Sequence, residues 1–154
     1  MGEEQIIEQS AVFAYRKHKG NLQILLVTSR DSQRWVLPKG HVKEDLSPRE
    51  SAALEAYEEA GIKGNTAKKP IGYYGYVKTV QKGGNFCRVS VFPMKVSHLL
   101  DKWPEMDIRK RKWMAIGEAI KIVDEKQLKK LIDQFYKEIK TKWSRSSGSA
   151  VVDC

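Results

Sequence analysis

Apolar residues along the chain fall into runs whose spacing separates strands from helices. The segments 11–17 (AVFAYRK) and 22–28 (LQILLVT) flank the turn-rich joint His18-Lys19-Gly20-Asn21 and predict an antiparallel hairpin. Trp35–Gly40 (WVLPKG) predicts a short strand running into a glycine loop. Segments 71–80 and 86–96 predict two strands around Gln81-Lys82-Gly83-Gly84-Asn85. Arg111–Ile116 follows as a strand and Gly117–Ile122 as a short helix. The last predicted element is an amphipathic helix capped by Asp124. Its Leu128, Leu131, Ile132, Phe135, Ile139 and Trp143 recur at the three-and-four spacing of a core-facing stripe. Lys63–Pro70 (KGNTAKKP) reads as a basic loop, and Ser97–Asp107 as an irregular connection. One domain over 1–143 is expected, with a disordered tail over 144–154.

The most informative helix lies between Ser47 and Gly61. Ser47-Pro48-Arg49-Glu50 supplies an N-cap, a proline at the first helical position and a capping-box glutamate, and Gly61 a left-handed stop. Ala52, Ala53, Ala56, Tyr57 and Ala60 form an apolar face whose small side chains predict close approach to a sheet. The other face carries Glu55, Glu58 and Glu59. At α-helical spacing these acids share one arc, and each like-charged pair costs about 0.2–0.5 kcal/mol. The last turn is also where the helix dipole disfavours negative charge. One turn before them stand Ser51, Leu54 and Glu55, with no cation; only Lys63, beyond the helix, is within reach of Glu59. Such a face makes sense if a hard divalent cation sits on it, because Mg²⁺ takes carboxylate oxygens and keeps several waters. The alternative is a solvated acidic helix.

Composition sets bounds. The chain has 154 residues, 41% hydrophobic and 31% charged, as expected of a soluble globular protein with a real core. No apolar run reaches membrane-spanning length, and MGEEQIIEQS lacks a signal-peptide layout, so no membrane partner is expected. Cys87 and Cys154 make no disulfide framework, which fits a reducing, cytoplasmic setting. The net charge of +9 favours polyanionic small molecules as partners; specific nucleic-acid binding is not expected.

The register of Gly40, Glu55, Glu58, Glu59, Gly61 and Ile62 resembles the box G-x5-E-x7-R-E-U-x-E-E-x-G-U of the Nudix hydrolase superfamily, U being aliphatic. Two positions depart: Leu46 stands for the first glutamate and Leu54 for the arginine, which in that family orients the glutamates. An ionic contact exchanged for an apolar one accounts for both. Outside the box, Thr28-Ser29-Arg30, Trp35, Pro38, Trp103-Pro104-Glu105 and Arg109-Lys110-Arg111-Lys112-Trp113 resemble the diphosphoinositol polyphosphate phosphohydrolases. Pro38-Lys39-Gly40-His41 is more similar to the diadenosine tetraphosphate hydrolases.

The resemblance implies an α/β fold, the Nudix α/β/α sandwich with a mixed β-sheet. It also implies a Mg²⁺-dependent pyrophosphohydrolase, with Mn²⁺ as a substitute, in which water attacks a phosphoanhydride of a small polyphosphorylated substrate. Carried over residue by residue, Glu55, Glu59 and the Lys39 carbonyl are metal ligands and Glu58 the general base, with Glu59 as its alternate. Arg30, Lys39, His41, Arg88, Arg109 and Arg111 are the candidate substrate contacts. Arginine offers a planar fork to phosphate oxygens, and lysine a point charge. If the run Arg109–Lys112 enters a strand, only alternate members face one site; a solvated basic face is the competing reading. His41 has a solvent-exposed loop histidine as its competing reading. Two other functions keep the scaffold: a polyphosphate-binding module with weak or no turnover, suggested by Leu54, and a housecleaning pyrophosphatase for nucleoside triphosphates.

Overall fold

A computed structural model describes residues 5–78 and 83–147, with side chains through 142. The strands are β1 (Ile6–His18), β2 (Asn21–Thr28), β3 (Trp35–Val36), β4 (Lys39–His41), β5 (Ile62–Thr66), β6 (Gly72–Val77), β7 (Phe86–Leu99) and β8 (Arg111–Ala115). The helices are α1 (Pro48–Glu55), continued by a π-helical turn (Ala56–Ala60), α2 (Ile116–Ile122) and α3 (Lys126–Ser147). The strands form one mixed sheet along β3-β2-β1-β7-β5, with β4 on β1, β6 on β7 and β8 on β2. The β1–β7 pair is parallel and the other pairings are antiparallel.

Strand β1 explains the layering. Its run Ala11-Val12-Phe13-Ala14 shows no apolar–polar alternation because both faces of the strand are covered. Ala11 and Phe13 join the cluster built with Leu128, Ile132 and Phe135 of α3, while Val12 and Ala14 join Ala52, Ala56 and Ala60 of the acidic helix. Phe13 and Phe135 meet at a tilt of 58° with ring centroids 4.8 Å apart. The small alanines let α1 and its π-helical turn lie close on the sheet, as expected. The result is the α/β/α sandwich, with α1 on one face and α2 and α3 on the other.

The hairpin, the strand from Arg111, the short helix after it and the amphipathic last helix form where the pattern places them. Several expectations need correction. The basic loop over Lys63–Pro70 is half strand: Ile62–Thr66 pairs with the far end of β7, Thr66 against Met94. Its two buried ends, Ile62 and Thr66, enclose exposed Lys63, Gly64 and Asn65, so the strand reads as a polar loop. Ser97–Leu99 likewise extends β7 rather than opening the irregular connection. Trp35–Gly40 is split about Leu37-Pro38 into β3, on β2, and β4, on β1. Asp124 does not cap α3, which starts at Lys126; its carboxylate pairs with Arg34. That helix continues to Ser147, into the expected tail. The last part of the 71–80 strand, the Trp143 side chain and 148–154 lie outside the described residues.

Candidate functional site

The acidic helix is fixed at both ends. At its start the Glu50 amide donates to Ser47 Oγ at 3.1 Å while the Ser47 amide donates to Glu50 Oε1 at 2.9 Å. At its end the turn widens to π-helical geometry and stops at Gly61, whose φ of +64° is the left-handed region. A β-carbon there would also sit 2.7 Å from the Trp103 ring. Trp103 Nε1 donates to the Glu59 carbonyl at 3.1 Å. Arg111 donates to the carbonyls of Ala60 at 2.9 Å, Gly61 at 3.3 Å and Leu100 at 2.6 Å. Its guanidinium lies 3.8 Å from the Trp103 ring centroid. A cation on the last carbonyls suits both their lone pairs and the helix dipole. Arg111, expected at the substrate, thus serves the helix terminus.

The π-helical turn changes the geometry of the acids. At the wider i→i+5 winding Glu59, four residues on, stays on the side of Glu55, while Glu58, three residues on, turns further away from it. Glu55 and Glu59 are buried, with 8% and 6% of their surface exposed. Glu59 Oε1 accepts from the Lys39 amide at 3.3 Å, and its Oε2 lies 3.4 Å from Arg109 Nη2. Glu55 rests on Gly40 and lies 3.6 Å from Lys43 Nζ. Each acid acts on the other's ionisation, because two carboxylates this close resist carrying both charges. Burial, against the pull of Arg109, pushes Glu59 up to about 8; Glu55 is raised by burial too. Lys63 stands over the Tyr57 ring, and the cation on Glu59 is Arg109.

Two buried acids side by side form a site that a divalent cation fits, since it can neutralise both charges where burial disfavours them. Glu55 and Glu59 would hold it, with the Lys39 backbone brought to Glu59 by its amide. Among the described residues no group of three His, Cys, Asp or Glu side chains converges as a metal cage. Glu55 and Glu59 are the two acids buried together. Glu58 is half-buried beside them, its charge felt at Glu55 and its carbonyl accepting from the Glu105 amide at 3.0 Å.

The basic candidates separate by location. Lys39 is on the α3 face, where its Nζ donates to the Tyr76 hydroxyl at 3.2 Å and Tyr76 donates to Gln9 Oε1 at 2.8 Å. Burial lowers the Lys39 pKa, against the attraction of Glu59 and Glu125. His41 Nε2 lies 3.1 Å from Lys78 Nζ; burial first, and then the lysines around it, lower its pKa. Arg34, Lys39, Lys78, Tyr76 and Gln9 line a cavity of about 270 Å³ together with the acids Asp31 and Glu125, and Arg34 also pairs with Asp124. Arg30 is exposed on the turn after β2. Arg88 stacks on Tyr73 with 4.4 Å to the ring centroid and faces a separate cavity, of about 600 Å³, at the start of α1. Arg109 is buried behind Glu59. Sequence reasoning missed Arg34, Lys78, Gln9 and the role of Tyr76, which only the pairing of distant strands assembles. It also missed Glu105, which receives Arg109 Nε at 2.9 Å.

Comparison with known proteins agrees with this architecture. The family model of the NUDIX domain matches residues 8–138. Nudix hydrolase 12, mitochondrial, of Arabidopsis thaliana is 32% identical over 120 residues, covering 74% of this chain and 58% of that protein. Mouse diphosphoinositol polyphosphate phosphohydrolase 3-alpha is 31% identical over 118 residues, covering 75% and 68%. The matches span 58%, 69% and 62% of the lengths of plant Nudix hydrolases 12, 13 and 21. Among solved structures, the Caenorhabditis elegans Ap4A hydrolase superposes with a TM-score of 0.70 at 23% identity, covering 88% of this chain and 99% of that one. The NUDIX domain of Shewanella oneidensis NrtR, complexed with ADP ribose, gives 0.70 at 14% identity, covering 89% and 90%. These structural likenesses concern the fold. With a family model matched along most of its length and the box glutamates and glycines in register, the chain belongs to the Nudix family.

Proposed function

We propose that this protein is a Mg²⁺-dependent pyrophosphohydrolase that uses water to cleave a phosphoanhydride in a small polyphosphorylated molecule, of the dinucleoside polyphosphate or inositol pyrophosphate type. The observation that carries the reading is the buried Glu55–Glu59 pair, with Glu59 Oε1 accepting from the amide of Lys39, whose side chain lines a cavity with Arg34 and Lys78. When bound, the cation supplies charge neutralisation at phosphoryl oxygens and a lower pKa for attacking water. The chain's own residues do the positioning on which phosphoryl transfer chiefly depends. Lys39, Lys78 and Arg34 attract the anionic chain into the cavity, and Tyr76 and Gln9 orient the Lys39 ammonium. Glu58, beside the buried pair, is assigned as the general base, taking the proton of the attacking water. Support for the substrate class comes from Lys39 and Lys78 in the cavity wall and from the mouse and nematode relatives' names.

A second reading, a polyphosphate-binding module, is favoured by Leu54 and by the position of Glu58 outside the buried pair. Incubation with Mg²⁺ and a panel of dinucleoside polyphosphates, inositol pyrophosphates and nucleoside triphosphates separates the two. Release of phosphate or nucleotide that is lost in Glu58→Gln supports the hydrolase. Tight binding without turnover, unchanged in that variant, supports the module.

A further inference from the structure

Arg109 was expected at the substrate, yet its surroundings point elsewhere. Only 8% of its side chain is exposed, and each guanidinium nitrogen is directed at a fixed acceptor. Nη2 lies 3.4 Å from Glu59 Oε2, Nε lies 2.9 Å from Glu105 Oε1, and Nη1 donates to the Thr28 carbonyl at 3.0 Å. The next residue reinforces the anchor, since the Lys110 amide donates to Thr28 Oγ1 at 2.9 Å. Glu105 is itself tied to the acidic helix through its amide on the Glu58 carbonyl. The connection between β7 and β8 is thus fastened to the end of β2 and to the π-helical turn. Arg109 is the rigid member between them.

The helix supplies no cation for Glu59: one turn earlier stands Glu55, flanked by Leu54. We infer that Arg109 is a positioning residue that holds the Glu59 carboxylate in place for a divalent cation, with Glu105 offsetting the arginine's own charge. The inference rests on the proposed metal-dependent reading. A carboxylate offers about four lone-pair positions, so Arg109 and the Lys39 amide leave others free for the cation. Because Glu105 pairs with Arg109, the guanidinium orients Glu59 without adding a full net positive charge beside the metal. Hydrogen-bonding partners of metal-binding carboxylates fix their orientation, and loss of such a partner weakens metal binding by about 10–100-fold.

The test measures Mn²⁺ dissociation constants by electron paramagnetic resonance on the full chain, with no phosphate compound present. It compares the unaltered protein with Arg109→Lys and Arg109→Met and records kcat and KM alongside. The expected result is about 10–100-fold weaker Mn²⁺ binding in Arg109→Met, an intermediate value in Arg109→Lys, and a larger change in kcat than in KM. Mn²⁺ constants within about twofold of the unaltered protein, together with a raised KM, would make Arg109 a phosphate contact and overturn the inference. If circular dichroism shows that Arg109→Met does not fold, Arg109→Lys decides. Binding weaker by about threefold or more then supports the positioning role, and a smaller change overturns it. Failure of the unaltered protein to bind Mn²⁺ removes the metal reading itself, which distinguishes that failure from an error about Arg109.

Discussion

Gly40 and Glu55 lie in such close contact that a β-carbon at position 40 would fall 2.3 Å from Glu55 Cδ and 2.4 Å from Oε2. Strand β4 therefore meets the acidic helix across a gap that only a glycine leaves open. Gly40→Ala should push the Glu55 carboxylate off its neighbour Glu59 and cost about 1–3 kcal/mol of stability from overpacking. The larger effect is expected on the site: Mn²⁺ affinity should fall by about 10-fold or more, as for other losses of support around a metal ligand. Mn²⁺ affinity and melting temperature, measured together, check this. A variant destabilised to that extent but binding Mn²⁺ normally would show that Glu55 is no ligand.

The raised pKa of Glu59 gives the metal-free protein a particular pH dependence. Glu59 is pushed up to about 8 by burial, from an ordinary value of 4.5. A group whose pKa is raised on folding binds its proton more tightly in the native state. Its stabilising contribution is complete below pH 4.5 and is lost as pH rises to about 8. In the presence of a chelator, stability should decline across that window, with a slope of at most about 1.4 kcal/mol per pH unit for one proton. Glu59→Gln should flatten the slope, and saturating Mn²⁺ should remove it. Thermal denaturation at several pH values reads all three. A chelated protein that becomes more stable from pH 5 to pH 8, with Glu59→Gln unchanged, would rule out the buried protonated acid as the cause.

Arg111 closes the same helix from the far side. Its guanidinium holds the carbonyls of Ala60, Gly61 and Leu100 and stacks on Trp103. Arg111→Ala should take the arginine's donors from the Ala60 and Leu100 carbonyls, at about 1–3 kcal/mol, while the Gly61 carbonyl keeps the Leu100 amide. The expected signature is a lower melting temperature with KM nearly unchanged. A raised KM at constant stability would return Arg111 to the substrate.

Why some of this was legible in the sequence and some was not follows from the range of each interaction. The capping box, Gly61 and the unalternating Ala11–Ala14 run are set by neighbours in the chain and by burial on both faces, so spacing alone reveals them. The π-helical turn is invisible to an α-helical period, which put Glu58 on the same arc as Glu55 and Glu59. Arg109 and Glu105 are four residues apart, yet their meaning depends on Glu59 and Thr28, which only the folded sheet brings to them. Arg88 was grouped with Lys39 because both are basic. Strand alternation puts Arg88 on the α1 face with Ser90 and Phe92, while Lys39 reaches Tyr76 on the α3 face.

Lys39 offers the sharpest separation of function from stability. Its side chain is half-buried, and desolvation, outweighing the attraction of Glu59, depresses its pKa. A charge held in such a place works against folding unless it does something that an apolar side chain cannot. Lys39→Met keeps most of the volume and removes the charge, leaving the Lys39 amide on Glu59 and the hydroxyl of Tyr76 on Gln9 intact. The variant should melt at the same temperature as the unaltered protein or above it. A lost charge-assisted hydrogen bond to phosphate, about 1.5–3 kcal/mol, corresponds to about a 10–100-fold loss in kcat/KM. That loss should fall mainly on KM, because an ammonium in the cavity holds the anionic chain before and during the reaction alike. Steady-state kinetics on a long and a short polyphosphate, beside a melting curve, provide the check. A lower melting temperature with unchanged kinetics would make Lys39 a structural lysine, supporting Tyr76 and leaving the substrate to Arg34 and Lys78.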